Sequence, residues 1–117
     1  MEQKDVLREE TICFAIQVSD LCDTIKGCSV YTNQLLRSSS SIGANLYEAK
    51  YAQSKSDFIN KLEISLKECF ETEYWLELLS RKRKLDDCTY KTLLGKCGTI
   101  RRKLIASVTT AKQNSRA

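Results

Sequence analysis

No proline interrupts this chain of 117 residues, and only four glycines, Gly27, Gly43, Gly95 and Gly98, offer the backbone places to turn sharply. A fold of many short strands needs turn residues at close intervals, so β-rich architectures are disfavoured and long helices are expected. At this length the chain fits one domain, residues 1–117, that buries a core without metal or disulfide staples.

Apolar spacing divides it into four helices, expected at about 5–26, 30–52, 55–80 and 87–113. In the first, Leu7, Phe14, Val18, Leu21, Cys22 and Ile25 recur at helical intervals, and Gly27 supplies a left-handed stop. In the second, Tyr31, Leu35, Ile42, Leu46 and Ala49 form one narrow stripe. The third opens on Ser54 and Asp57, a hydroxyl and a carboxylate at capping spacing, and carries Phe58, Leu62, Leu66, Cys69 and Leu76. The fourth is capped by Asp86 or Asp87 and carries Tyr90, Leu93, Leu94, Cys97, Ile100, Leu104, Val108 and Ala111; Gly95 and Gly98 weaken its middle without ending it. Four helices of similar length on short links pack most simply as an all-α, antiparallel, up-down-up-down four-helix bundle.

Two helices carry apolar or small residues beyond one core face. Ile64, Trp75 and Leu79 on the third, and the run of small residues at 38–44 on the second, fit either a subunit interface or closure of the bundle itself. The longest apolar runs fall far short of the roughly 20 residues that cross a bilayer. The first ten residues mix both charges and precede no signal-type apolar stretch, so a cytoplasmic location is expected. Six cysteines, at 13, 22, 28, 69, 88 and 97, are then read as reduced and mostly buried small hydrophobes.

The net charge of +4 hides an asymmetry: residues 1–30 sum to −3, 31–60 to +1, 61–79 to −3 and 80–117 to +9. The last block has two parts. Arg81, Lys82, Arg83 and Lys84 stand in the third link; Lys91, Lys96, Arg102, Lys103, Lys112 and Arg116 stand on the fourth helix. At about 100° per residue, Lys91, Arg102 and Arg116 share a line away from the apolar stripe, with Lys112 at its edge and Arg101 nearer the core. Such an array suits phosphates, because each neutralising cation releases a counterion and adds affinity regardless of sequence. The nucleic-acid-binding residues expected on this ground are Arg81, Lys82, Arg83, Lys84, Lys91, Arg102, Lys103, Lys112 and Arg116. No aromatic platform accompanies them, since Tyr90 points toward the core. The competing expectations are an adaptor docking an acidic protein, and a structural bundle whose charge only keeps it in solution.

The segments LLRSSSSIGANLYEA, SKSDFINKLEISLKE and ETEYWLELL follow one another within residues 35–79. In this they resemble the bacterial four-helix-bundle family of 23S rRNA intervening-sequence proteins, to which the accessory variability proteins of diversity-generating retroelements are similar. Ser41, Ile42, Asn45, Glu48 and Ala49 match the family's SIxxNxxEA pattern, and Lys61, Glu68, Glu71, Thr72 and Trp75 its third-helix pattern. Glu73, inside the main apolar stripe of the third helix, has no account in it. The resemblance implies an up-down bundle and a ring-shaped homo-oligomer, pentameric in relatives. In retroelement members it implies binding to a reverse transcriptase and to nucleic acid.

Ser41, Asn45 and Glu48 lie at i, i+4 and i+7 beside the stripe of the second helix. They are expected to reach Lys61 or Glu68 on the third in a polar network that fixes register, ahead of any role in ligand contact. Glu63, Glu68, Glu71, Glu73 and Glu77 resemble a di-iron set in type only, because such sites draw on Glu-x-x-His pairs and this chain has no histidine. Serine and cysteine nucleophiles lack their usual base for the same reason. The chain is therefore expected to be a non-enzyme without metal or cofactor.

Overall fold

The computed structural model describes the backbone of residues 3–116 and the side chains of residues 6–114. Four helices follow in order: α1 Gln3–Thr24, α2 Ser29–Ala49, α3 Lys55–Arg81 and α4 Asp87–Arg116. The links at 25–28, 50–54 and 82–86 reach at most about 17 Å when extended, whereas the helices run roughly 30–45 Å. Each helix must therefore double back beside its predecessor. Consecutive helices touch, α4 closes on α1, and among the described residues the diagonal pairs do not meet, which is the up-down-up-down bundle. It measures 50 × 24 × 22 Å, and α1 against α4 is its most lightly packed seam. No helix among the described residues is long and apolar enough to cross a membrane.

Helix ends follow local chemistry. Gly27 takes φ +80 just after α1, the left-handed conformation that only glycine adopts without strain. The second helix stops at Ala49, short of the expected 52, because its last amides turn tighter: Lys50, Tyr51 and Ala52 donate to Tyr47, Glu48 and Ala49, three residues back. Ser54 Oγ accepts from the Asp57 amide at 3.0 Å while Asp57 Oδ2 accepts from the Gln53 amide at 3.2 Å, so the expected α3 start forms. Of the two candidate caps for α4, Asp86 fills the role, its Oδ1 accepting from the Thr89 amide at 2.7 Å. That amide also holds the Asp86 carboxyl below its ordinary value.

The end of α3 is unusual. Lys84 N donates to Leu79 O at 3.0 Å and Arg83 N to Ser80 O at 2.9 Å, the paired bonds of a Schellman stop. The residue that must turn left-handed there is Arg83, at φ 59, where glycine would be easiest.

The apolar stripes meet in one core of Phe14, Val18, Leu35, Ile42, Leu62, Leu76, Ile100 and Leu104, all nearly sealed from water. Burial of each such side chain contributes about 1.5–3 kcal/mol before chain entropy is set against it. Leu79 belongs to this core, and Trp75 lies half-buried against it. Cys22, Cys28, Cys69 and Cys97 are buried free thiols, whereas Cys13 and Cys88 are exposed. Burial, with Asp23 adding to it, pushes the Cys22 thiol up to about 11. A hydrogen bond with Cys69, together with burial, raises Cys97 as well.

The small residues of α2 are used inside the bundle. Ser38 and Ser39 are buried, Thr72 Oγ1 on α3 donates to Ser38 Oγ at 2.9 Å, and Ser65 Oγ donates to Ile42 O at 2.7 Å. On the α1 side, a Cβ placed on Gly43 would stand 3.0 Å from Thr11 Oγ1. Only Ser40 and Ala44 of this run are exposed.

Candidate nucleic-acid interface

Ion pairs between neighbouring helices tie the bundle together and decide which charges are left over. Arg37 on α2 donates to Glu68 at 2.9 Å and to Glu71, both on α3, and Glu71 Oε1 also accepts from Trp75 Nε1 at 3.2 Å. Lys61 on α3 meets Glu48 on α2 at 3.0 Å. Arg101 on α4 donates to Glu73 on α3 at 2.8 Å, and its guanidinium lies 5.5 Å from the centre of the Phe70 ring. This last pair accounts for Glu73: a carboxylate within an apolar stripe is tolerated because a cation from the next helix meets it, with both side chains only about a quarter exposed. Glu63 faces Lys112 at 3.6 Å and Glu77 faces Arg81 at 2.7 Å. All five α3 glutamates considered as a ligand cluster thus have cation partners, and no metal-type cluster occurs among the described residues.

The row on α2 divides. Glu48 reaches Lys61 as expected, but Ser41 Oγ donates to Arg37 O at 2.7 Å and Asn45 Nδ2 to Ser41 O at 2.8 Å, both within their own helix. Glu68 belongs instead to the Arg37 group. A hydroxyl or amide one turn from a backbone carbonyl satisfies itself locally, so Ser41 and Asn45 form no bond across to α3. Between α2 and α3 the buried hydrogen bonds among the described residues are those of Ser38 with Thr72 and of Ser65 with Ile42 O.

The Arg37 guanidinium holds the Glu71 carboxyl below its ordinary 4.5, and the Trp75 N–H adds to the effect. A depressed folded-state pKa contributes stability above the unfolded value, and that stability is lost as pH falls through the folded one. Glu71→Gln is therefore expected to be less stable than the native chain near neutrality, with the difference shrinking as pH is lowered through and below about 4.5. Urea midpoints of both proteins along an acid series measure it; a constant difference would contradict the assignment.

The basic residues sort into two sets. Lys103 pairs with Glu10 on α1, closing the light α1–α4 seam, and Lys112 pairs with Glu63, so both act between helices. Lys91 is exposed but holds Asp87 one turn back at 3.1 Å. Lys82, Arg83, Lys84 and Arg102 are exposed and have no carboxylate partner among the described residues. The side chain of Arg116 lies outside the described residues. At the link end Lys84 Nζ donates to Lys26 O at 3.4 Å, which brings the exposed Lys26 of the α1–α2 link beside the α3–α4 link. The charge blocks concealed Lys26, because it stands in an acidic stretch.

Aromatic side chains accompany one of these cations, Lys82, and the ion-paired Arg101, where the sequence offers no platform. Lys82 Nζ lies 5.8 Å from the centre of Tyr31, whose ring is 6.0 Å from Trp75, and Trp75 is 5.0 Å from Tyr74 edge to face. Phe70, one turn before Tyr74, continues the row toward Arg101. The signal for Phe70 and Tyr74 was present: two aromatics at i, i+4 on α3, outside its apolar stripe.

Fold and surface together define the class, an all-α up-down four-helix bundle with a basic end. The match to the family of the 23S rRNA-intervening sequence protein spans residues 6–106, and the chain belongs to that family. It is similar to a protein of unknown function from the S23 ribosomal protein family of Bacteroides thetaiotaomicron. That crystal structure has 39% sequence identity and a TM-score of 0.87, over 92% of this chain and 99% of the other. No curated protein matches the chain.

Proposed function

We propose that the protein is a non-catalytic accessory protein that binds nucleic acid through its basic link end and the outer line of α4. One observation carries this reading. The glutamates of α3 are matched by cations from their own or neighbouring helices, while Lys82, Arg83, Lys84 and Arg102 have no such partner among the described residues. Asp86 and Asp87, the acidic residues nearest the link in sequence, are engaged by the start of α4 and by Lys91. The surplus positive charge is therefore free to meet phosphates, with a readout of charge and shape rather than base sequence.

The resemblance to accessory variability proteins extends the proposal. A ring-shaped homo-oligomer, a pentamer as in relatives, would repeat the basic end around an axis and raise its potential, and the scaffold would work beside a reverse transcriptase in the cytoplasm. The test is a salt-titrated binding assay with RNA and DNA of unrelated sequences. Four phosphate contacts predict an affinity loss of about a hundredfold between about 50 and 200 mM salt. Binding indifferent to salt would rule the reading out. A stoichiometric complex with an acidic protein that survives nuclease treatment would favour an adaptor instead.

A further inference from the structure

The row of rings on α2 and α3 has a geometry that a purely electrostatic surface does not need. Tyr74 is 59% exposed and Phe70 52%, on a helix whose core stripe is already complete without them. Single exposed hydrophobes are ordinary. Here, however, the rings are contiguous with cations: Lys82 lies over Tyr31 at the link end, and Arg101, itself held by Glu73, over Phe70 at the other. Tyr31 and Trp75 are half-buried and hold the row in place, so the surfaces left for a ligand are Tyr74 and the part of Phe70 that Arg101 does not cover.

We propose that this row is a stacking platform for unpaired bases, so that the nucleic acid the protein prefers is a single strand. The inference rests on the nucleic-acid binding proposed above and specifies its substrate. A duplex keeps the flat faces of its bases inside its own stack and gains nothing from exposed rings, whereas an unpaired strand lays bases on them and keeps its phosphates for the flanking cations. A polyanion with free aromatic faces complements a row of rings that ends on an unpaired cation; an apolar helix of another protein would leave Lys82 without a partner. Stacking does not distinguish the sugar, so RNA and DNA single strands are both accepted.

The experiment compares the native chain with the Phe70→Ala/Tyr74→Ala double variant and with Tyr74→Phe. The probes are one mixed-sequence DNA strand of roughly 20 nucleotides, the same strand annealed to its complement, and the RNA of the same sequence. Both substituted rings are more than half exposed, so the helical signal is expected to persist. The native chain is expected to bind both single strands more tightly than the duplex. The double variant is expected to lose about tenfold per ring, roughly a hundredfold in all, on the single strands, with duplex affinity and the salt dependence unchanged. Tyr74→Phe keeps a ring and is expected to retain native binding. Equal losses on single strand and duplex, or no loss on either, would overturn the stacking platform while leaving the electrostatic reading standing. Native protein that binds none of the three probes would overturn both.

Discussion

Gly43→Leu is expected to destabilise the bundle by about 3 kcal/mol and to lower its thermal midpoint by about 10 °C. The reason is the contact between α1 and α2. Even a Cβ at position 43 would stand 3.0 Å from Thr11 Oγ1 and 3.2 Å from Thr11 Cβ, and Thr11 is itself buried, its hydroxyl donating to Arg8 O at 2.7 Å. A leucine therefore cannot enter without moving α1 outward, which opens the stripe of Phe14 and Val18 to water. Gly43→Ala separates the opposing effects. Helix propensity favours alanine by about 1 kcal/mol, and the tight contact takes back a similar amount, so this variant is expected to stay near native stability. Thr11→Ala takes away the 3.0 Å contact with Oγ1 and leaves the one with Cβ at 3.2 Å, so Gly43→Ala is expected to be better tolerated in the Thr11→Ala background than in the native chain. The coupling in such a double-mutant cycle isolates the steric contribution. A Gly43→Leu protein with an unchanged urea midpoint would mean that α1 is not seated closely on α2.

The same position illustrates what a sequence exposes and what it withholds. The stripes Leu35, Ile42, Ala49 and Leu62, Cys69, Leu76 were legible because helical spacing alone assigns them to one side, and water enforces that side. Ser54 and Asp57 were legible because capping depends on residues three apart. The small residues at 38–44 announced a close approach but not its partner: Gly43 meets Thr11 and Ser38 meets Thr72, choices set by the rotation of each helix about its own axis. Pairings across helices were hidden for the same reason. Nothing local links Lys103 to Glu10 or Arg101 to Glu73, yet those bonds decide which cations remain for a ligand. Thus Lys103 and Lys112 looked like members of a basic surface and lie in interhelical pairs, while Lys26, from an acidic stretch, joins the basic end. Phe70 and Tyr74 are not legible as a surface feature, because aromatic residues outside an apolar stripe carry no periodic signature of burial.

Arg83→Gly is expected to strengthen the fold and weaken binding at once, and this opposition makes it the most direct probe of the basic link. Arg83 holds φ 59 at the stop of α3, a conformation that disfavours any residue with a Cβ by about 1–2 kcal/mol. Glycine relieves that strain but gives the unfolded chain more freedom, so the net gain is about 0.5 kcal/mol. If the side chain had no task beyond ending the helix, glycine would serve better; an arginine retained against the local backbone preference fits a residue held for its charge. Loss of one phosphate contact is expected to reduce affinity for duplex DNA roughly eightfold at about 0.1 M salt and to lower the slope of log affinity against log salt by about 0.9. Adding Lys82→Gln and Lys84→Gln extends this to several hundredfold and a slope change of about 2.7, with helical content preserved because all three side chains are exposed. Weaker binding in a protein that unfolds at higher urea cannot be ascribed to misfolding. Arg83→Gly with native affinity and native salt dependence would remove Arg83 from the binding surface; the same result in the triple variant would remove the link, and Arg102 and Lys91 on α4 would then have to carry it alone.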